Sequence, residues 1–245
     1  MANDAEASRE RFSRFTSRDA ALTQWRFGRG YVALLAERRY RRMFAGARRL
    51  LDVGCGLGAA AQWAGPADYF GIDLSETLIR QGTAHPDRHL AAADICRLPF
   101  PDGAFDRVVC MGVIHHLPLQ GIAAALREMA RVLEPGGEIV LMEPNPWSLY
   151  QRLLAYLRPA ERGILYTSPR NLWRAMENVP QLSIVQFGFD HTMFWPAYLT
   201  FLLSRWSWVT GPRVTALLMA LHRFVVCLTP RWLRSHTSWR LRKAG

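Results

Sequence analysis

The stretch LLDVGCGLG, residues 50–58, decides the fold of this chain. Its apolar residues predict a buried strand, and Gly54, Gly56 and Gly58 predict a tight turn in which bare backbone comes close to a ligand. Asp52 stands just before this turn. A carboxylate there would repel a phosphate, but it suits a ligand that carries an ammonium group and a positive sulfur.

The glycine-rich turn by itself leaves three interpretations open: a site for a sulfonium nucleoside, a dinucleotide site and a plain tight turn. Gly54, Gly56 and Ala59 also satisfy the pattern G-x-G-x-x-A, which is typical of nicotinamide and flavin enzymes. A plain turn needs only the conformational freedom of glycine. The segments that follow the turn have to decide between these interpretations.

Acidic residues follow the next two predicted strands. Residues 68–72 predict a strand that leads to Asp73, which is placed to accept hydrogen bonds from ribose hydroxyls. Residues 88–93 predict a strand that leads to Asp94, whose carboxylate can accept a hydrogen bond from an adenine amino group while Ile95 packs on the adenine face. Two acids that end successive strands favour the sulfonium nucleoside over the dinucleotide.

These motifs resemble those of a known family. The pattern acid-x-Gly-x-Gly-x-Gly resembles the first motif of class I S-adenosylmethionine (SAM)-dependent methyltransferases. The segments ADICRLPFPDGAFDRVVCMGVIHHL (93–117) and VLEPGGEIVLMEP (132–144) resemble small-molecule methyltransferases of the ubiquinone and menaquinone biosynthesis type. The resemblance covers residues 48–145 and implies SAM as the cofactor. The cofactor-binding residues that we expect are Asp52, Gly54, Cys55, Gly56, Gly58, Asp73, Leu74, Asp94, Ile95 and Met111.

Strands alternate with helices through the rest of the chain. The further strands are predicted at residues 107–111, 138–142, 181–187 and 236–242. Apolar spacing predicts a helix over residues 122–133 that ends at the turn 134–137, and Ser168 is expected to cap a helix over residues 168–176. The predicted fold is α/β: a Rossmann-like seven-stranded methyltransferase sheet, mostly parallel with an antiparallel last strand, and with helices on both faces.

The pattern divides the chain into four parts. These are N-terminal cap helices at 1–47, a SAM-binding core at 48–190, an apolar and basic helical insertion at 191–235, and the last strand of the core sheet at 236–245. In the first part, Tyr31, Leu34 and Leu35 predict an apolar stripe. The solvated basic face is predicted to carry Arg38, Arg39, Arg41 and Arg42.

Composition bounds the cellular setting. The chain has 245 residues, which suit one domain with decoration. Its first residues are charged and contain no apolar run, so we expect no signal peptide. Four separated cysteines form no metal pattern, which favours a reducing cytoplasm and no bound metal, and Cys55 and Cys110 are expected to pack near the site rather than react.

The C-terminal quarter combines positive charge with apolar helices. The net charge is +11, and residues 191–245 contain seven arginines and one lysine but no acid. The apolar runs at 194–203 and 214–228 are too short to span a membrane. Tryptophans interleave with the arginines at Trp195, Trp206, Trp208, Trp232 and Trp239. This pattern predicts peripheral contact with anionic lipid, and the alternative is a lid over the substrate pocket or a dimer interface.

Three side chains are candidates for acid–base chemistry. His115 and His116 directly follow the fourth strand, where a histidine could remove a hydroxyl proton at neutral pH. Glu143 ends the fifth strand and is the other base candidate. We favour His116, although either histidine could instead hold the loop. Methyl transfer from a sulfonium needs alignment and no metal.

The leading hypothesis is an enzyme that methylates an apolar or lipid-linked small molecule at the cytoplasmic face of the inner membrane. The alternatives are a soluble natural-product O-methyltransferase with lid helices and a catalytically silent scaffold. A nucleic-acid acceptor is disfavoured, since no Asn/Asp-Pro-Pro-aromatic motif follows the fourth strand. The positive charge also lies beside apolar helices and not on a polar platform.

Overall fold

A computed structural model describes residues 30–82, 89–190 and 211–245. Its centre is one seven-stranded sheet with the spatial order β3-β2-β1-β4-β5-β7-β6. The strands are β1 (Arg49–Val53), β2 (Asp68–Asp73), β3 (His89–Ala92), β4 (Phe105–Met111), β5 (Leu133–Pro144), β6 (Leu182–Asp190) and β7 (His236–Lys243). The first five strands pair in parallel, and β7 lies antiparallel between β5 and β6. The predicted fold class is confirmed.

Helices cover both faces of this sheet. The α-helices are α1 (Gly30–Phe44), α2 (Glu76–Gly82), α3 (Leu119–Val132), α4 (Leu149–Leu157), α5 (Pro169–Glu177) and α6 (Pro212–Leu228). Short 3-10 helices are Ala59–Trp63, Ile114–His116, Pro159–Tyr166 and Arg231–Leu233. We call Ile114–His116 the histidine turn and Pro159–Tyr166 the covering helix.

Local signals set several element boundaries. Ser168 caps α5, because its Oγ accepts a hydrogen bond from the backbone N–H of Asn171, and Pro169 follows at the first helical position, as expected. The predicted turn at residues 134–137 lies inside β5, which begins at Leu133, five residues before the predicted strand. Leu133 pairs with Phe105, residues 134–137 then form an irregular stretch that the pairing with β4 skips, and the ladder resumes where Glu138 pairs with Arg107.

The core has two layers because successive strand residues point to opposite faces. Leu51 and Val53 face a cluster that includes residues of α3 and α5. Leu50 faces the second cluster, which α1 covers together with the Ala59–Trp63 helix. Both layers are apolar and closely packed, so the C-terminal edge of the parallel strands is left as the place where polar side chains gather.

Helix α1 buries a different stripe from the one expected. The buried residues are Ala36, Tyr40, Met43 and Phe44, whereas Leu34 is 37% exposed. A tertiary contact explains which stripe is buried, because Tyr40 stacks on Trp63 with ring centroids 5.5 Å apart. The side chain of Tyr31 lies outside the described part. Arg38, Arg41 and Arg42 are exposed as expected, but Arg39 is half-buried.

Helix α6 lies between β6 and β7 in the chain, and β7 begins at His236 as predicted. Trp195, Trp206 and Trp208 lie outside the described residues, as does the apolar run at 194–203. Within residues 30–82, 89–190 and 211–245, every helix is too short or too polar to cross a lipid bilayer. The division of the chain into four parts stays a prediction.

Candidate active site

The turn after β1 forms a cradle of bare backbone, residues 54–58, which we call the glycine cradle. Gly54, Gly56 and Gly58 all have φ in the left-handed region, at 74°, 57° and 65°. Side chains are strained there, and a Cβ on Gly54 would also overlap the Cγ2 atom of Val113. The backbone N–H groups of Gly54 and Cys55 donate to the carbonyl of Ile72, so β2 holds the cradle in place.

Asp73 links the glycine cradle to the end of β2. Its Oδ2 accepts a hydrogen bond from the backbone N–H of Gly56, and its Oδ1 accepts one from Ser75, both at 2.9 Å. Burial raises the pKa of Asp73, and these backbone donors oppose that rise. The carboxylate therefore has a fixed orientation at the strand edge, with Leu74 half-buried beside it.

Asp94 takes the corresponding place after β3. Its Oδ1 accepts a hydrogen bond from the backbone N–H of Cys96 at 2.9 Å. Its neighbour Ile95 is buried in the first core cluster. Asp73 and Asp94 thus end neighbouring strands at one edge of the sheet, as predicted from the sequence. Their contacts with ribose and adenine stay predictions.

Asp52 has a protein partner that the sequence did not predict. Its carboxylate is 3% exposed and accepts a hydrogen bond from the hydroxyl of Tyr69 at 2.7 Å. Burial raises the pKa of Asp52 to about 7, although the bond from Tyr69 lowers it and the negative charge of Asp73 raises it further. Its expected contact with a cationic ligand stays a prediction.

Two other expected cofactor residues line the same region. Cys55 is buried, and burial raises the pKa of its thiol well above the ordinary value, as it does for Cys110. Neither thiol is therefore an effective nucleophile at neutral pH. Met111 ends β4, and its Sδ lies 3.5 Å from Nη1 of Arg39 on α1.

Glu143 holds the histidine turn from inside the protein. This fully buried carboxylate accepts hydrogen bonds from the backbone N–H groups of Val113, Ile114 and His115. Its Oε2 also lies 2.7 Å from Nδ1 of His115. All these contacts hold the histidine turn in place, so Glu143 is a structural anchor of that turn. Its role as a base stays a prediction.

A second carboxylate that the sequence analysis missed completes this cluster. Oε2 of Glu161, on the covering helix, lies 3.2 Å from Nε2 of His115. Gly163 makes the approach feasible, because a Cβ there would overlap the backbone carbonyl of His115. One feature of the sequence could have pointed to Glu161, because it is the sole acidic residue in residues 144–176.

The two histidines differ in charge at neutral pH. Burial alone would lower the pKa of His115, but the charges and hydrogen bonds of Glu143 and Glu161 raise it to about 9. Burial lowers the pKa of His116 to about 4, and the neighbouring His115, with ring centroids 3.9 Å apart, lowers it too. At neutral pH, His115 is thus an imidazolium and His116 a neutral imidazole.

These side chains also include ligand types that metals use. His115, His116 and Glu161 each offer one potential metal-ligand atom, and these three atoms lie within 4.8 Å of one another. Both ring nitrogens of His115, however, already face carboxylates. A metal ligand must be an unprotonated nitrogen, so the ion pair competes with metal binding. The expected absence of a metal stays a prediction.

Comparison with known sequences identifies the type of domain. Residues 51–141 match a family model described as a methyltransferase domain. The chain is 35% identical over 114 residues to a demethylmenaquinone methyltransferase of Beutenbergia cavernae, which covers 44% of this chain and 46% of the relative. It is 32% identical over 104 residues to the probable tRNA methyltransferase 9B of Bos taurus, and this match covers 42% of this chain and 22% of that relative. The chain thus spans less than half of the length of these two relatives.

Comparison with solved structures supports the same fold. A SAM-dependent methyltransferase from Archaeoglobus fulgidus aligns with a TM-score of 0.60 at 20% identity, covering 91% of this chain and 98% of that one. A geranyl diphosphate C-methyltransferase from Streptomyces coelicolor aligns with a TM-score of 0.59 at 17% identity, covering 87% and 81%. The predicted methyltransferase domain is thus confirmed over residues 51–141, and the fold of the described chain matches that of SAM-dependent methyltransferases.

The pH dependence of stability should report the charge of His115. Its folded pKa of about 9 exceeds its ordinary value of 6.5, so the folded protein binds the proton more tightly. The resulting stabilisation is full below pH 6.5 and is lost as pH rises through about 9. Urea unfolding at several pH values should show a loss of up to about 3 kcal/mol across this window.

A matched variant separates this effect from other titrations. Glu161→Gln removes one of the two carboxylates that face His115 and leaves Glu143 in place. The variant should therefore lose less stability between pH 7 and 9 than the parent. Identical pH profiles for the two proteins would contradict the assignment of a cationic His115.

Proposed function

We propose that this chain, which carries a class I SAM-dependent methyltransferase domain, transfers a methyl group from SAM to an apolar or lipid-linked small molecule. The observation that carries the proposal is the gathering of three features at one edge of the sheet. These are the glycine cradle, the fixed carboxylates of Asp73 and Asp94, and the histidine turn. The core match to methyltransferase relatives supports it.

The residues present fit the expected cofactor. Three glycines without side chains leave backbone open at the cradle, and the carboxylates of Asp73 and Asp94 would hold the ribose and the adenine. When bound, SAM supplies a methyl group on a sulfonium that is already activated for displacement. The task of the protein is then to align the acceptor, since holding the reacting atoms about 3 Å apart lowers the activation barrier by several kcal/mol.

Within the histidine pair, His116 is the better candidate for the base. His115 is held as a cation between two carboxylates, and so it has no free site for another proton. His116 is neutral, and a ring nitrogen can accept the proton that a hydroxyl acceptor loses. The negative charges of Glu161 and Glu143 oppose the lowering of the pKa of His116, but burial and the neighbouring His115 outweigh them. Glu143 and His115 then act as positioning residues.

Exposed apolar side chains support an apolar acceptor at a lipid surface. They are Trp147, Leu149, Leu153, Tyr156 and Leu157 near or on α4, and Leu217, Leu221, Phe224, Leu228 and Trp232 on or after α6. Exposed arginines flank both helices at Arg152, Arg158, Arg162, Arg223 and Arg231. Amphipathic helices with arginine and tryptophan bind the interface of anionic membranes. The names of the menaquinone and geranyl diphosphate relatives point to acceptors of this kind.

A soluble natural-product O-methyltransferase is the second candidate. A 27-O-demethylrifamycin SV methyltransferase of Amycolatopsis mediterranei is 35% identical over 118 residues, covering 41% of this chain and 42% of that relative. In this alternative the apolar face of α6 would cover the acceptor instead of touching lipid. Membrane binding therefore separates the two candidates.

Cofactor binding is the first test. Gly54→Ala should weaken binding of S-adenosylhomocysteine (SAH) about tenfold or more, because its Cβ overlaps Val113 and distorts the cradle. Gly46→Ala is the matched control, since Gly46 also has a positive φ but a Cβ there would meet open space. Calorimetry with SAH measures both variants. If the parent protein binds no SAH, the proposed function fails.

The role of His116 can be measured as methyl transfer. Cell extract and tritiated SAM provide the acceptor and the label, and counts that partition into organic solvent report the product. His116→Ala should lower the initial rate about 100-fold or more, while SAH affinity changes less than about twofold. A variant that loses SAH binding instead would place this histidine in the cofactor site.

Membrane contact is tested by flotation with vesicles. Vesicles that contain phosphatidylglycerol should carry the protein upward at low salt, and neutral phosphatidylcholine vesicles should not. The double variant Phe224→Ser/Leu228→Ser should float less, since both side chains are exposed on α6. Val185→Ser, an exposed apolar position on β6, is the control. Protein that stays in the soluble fraction at both low and high salt would favour the soluble O-methyltransferase.

A further inference from the structure

Four arginines line a cavity between α1 and α6, and we call it the basic cavity. Its volume is about 410 Å³. Arg38, Arg39 and Arg42 of α1 and Arg223 of α6 line it. Asp190, at the end of β6, is the single acidic residue among its lining residues in the described chain. Four guanidinium groups thus face one carboxylate.

The charge of this cavity is only partly balanced. Nη2 of Arg42 lies 3.2 Å from Oδ2 of Asp190, which accounts for that carboxylate. Arg38 and Arg223 make no ion pair or hydrogen bond with residues that the structure describes. Because like charges repel, arginines converge on one cavity at a cost that a bound anion would offset.

The floor of the basic cavity is apolar. Leu35 of α1 packs against Met219 of α6, and Met219 is buried. His222, one helical turn further along α6, is also buried and lines the wall. A cavity that joins arginines to an apolar floor suits an amphiphile, whose charged head contacts guanidinium groups while its chain follows the floor.

The basic cavity lies at the same edge of the sheet as the candidate active site. Strand β6 runs parallel to β5, because both are antiparallel to β7, so Asp190 lies at the C-terminal edge. Arg39 reaches Met111, the last residue of β4, at 3.5 Å. The histidine turn begins three residues after Met111. A single side chain, that of Arg39, therefore connects the cavity to the strand that leads into the histidine turn.

We propose that the basic cavity is the subsite for a phosphate ester on the methyl acceptor, an inference that rests on the proposed function. Guanidinium groups form paired, charge-assisted hydrogen bonds with phosphate oxygens. Several guanidinium groups together match a doubly charged phosphate better than they match a singly charged carboxylate. The volume lies within the range of small-molecule sites. The acceptor would then be an apolar molecule with a phosphorylated head.

A nucleic-acid backbone fits this geometry less well. Binding to a phosphate backbone uses basic groups spread along a surface, since successive phosphates are spaced along the strand. Here Arg38, Arg39, Arg42 and Arg223 converge on one concavity between two helices. The exposed residues beside it on α6 include Leu217 and Leu221, which are apolar.

The test measures binding of monomeric decyl phosphate to the full chain by calorimetry, with SAH present. We expect saturable binding that is tighter than that of inorganic phosphate, because the decyl chain adds contact with the apolar floor. The double variant Arg38→Gln/Arg223→Gln should bind decyl phosphate at least about tenfold more weakly. Arg41→Gln is the control, since Arg41 pairs with Glu37 at 2.8 Å and does not line the cavity. Its affinity should change by less than about twofold.

Four outcomes would overturn the subsite. The first is no saturable binding, and the second is an equal loss in the Arg41→Gln control. The third is binding to phosphatidic acid vesicles without binding to monomeric decyl phosphate, which would make the arginines a lipid-surface contact. The fourth is a short RNA duplex that binds more tightly than decyl phosphate and loses affinity in the same double variant. SAH binding, measured separately on each sample, keeps a failure of this inference distinct from a failure of the proposed function.

Discussion

The buried carboxylate of Glu143 is the interaction on which the candidate active site depends. A fully buried charge is costly unless it is hydrogen-bonded and paired, and Glu143 receives three backbone N–H groups and the ring of His115. These bonds fix the backbone just after β4 and hold His115 as a cation. Burial keeps His116 neutral, and the same cation adds to this effect. Glu143, at the end of β5, therefore sets the shape of the turn and contributes, together with Glu161 and burial, to the charge states of its two histidines.

Local patterns were enough to predict most of the sheet, the glycine cradle and the cap of α5. Each of these depends on residues that are close in sequence, such as the glycines after β1 or Ser168 and Pro169. Contacts over long separations could not be predicted. The Glu161–His115 pair joins residues 46 positions apart, and the partner of Asp52 is a tyrosine on the neighbouring strand. The buried stripe of α1 was mispredicted for the same reason, since it depends on stacking with Trp63.

The net charge of the chain divides into two kinds of arginine in the structure. Some are neutralised within the fold: Glu138 faces Arg107, Arg240 and Arg242 across three strands, and Arg131 pairs with two acids. Others converge where acids are scarce, at the basic cavity and on α6. Composition alone could not separate these groups, because total charge does not say which side chains meet.

The strand order has a consequence for how the chain reaches its native state. Among the strands that the structure describes, β6 pairs only with β7, which follows it in the chain after α6 and a long intervening segment. Until β7 inserts, the edge of β5 is unpaired and β6 has no neighbour in the sheet. Such open edges invite pairing with other chains, and distant partners close slowly. Nascent molecules thus pass through an aggregation-prone stage, and chaperone demand during synthesis should fall only when the seventh strand has emerged.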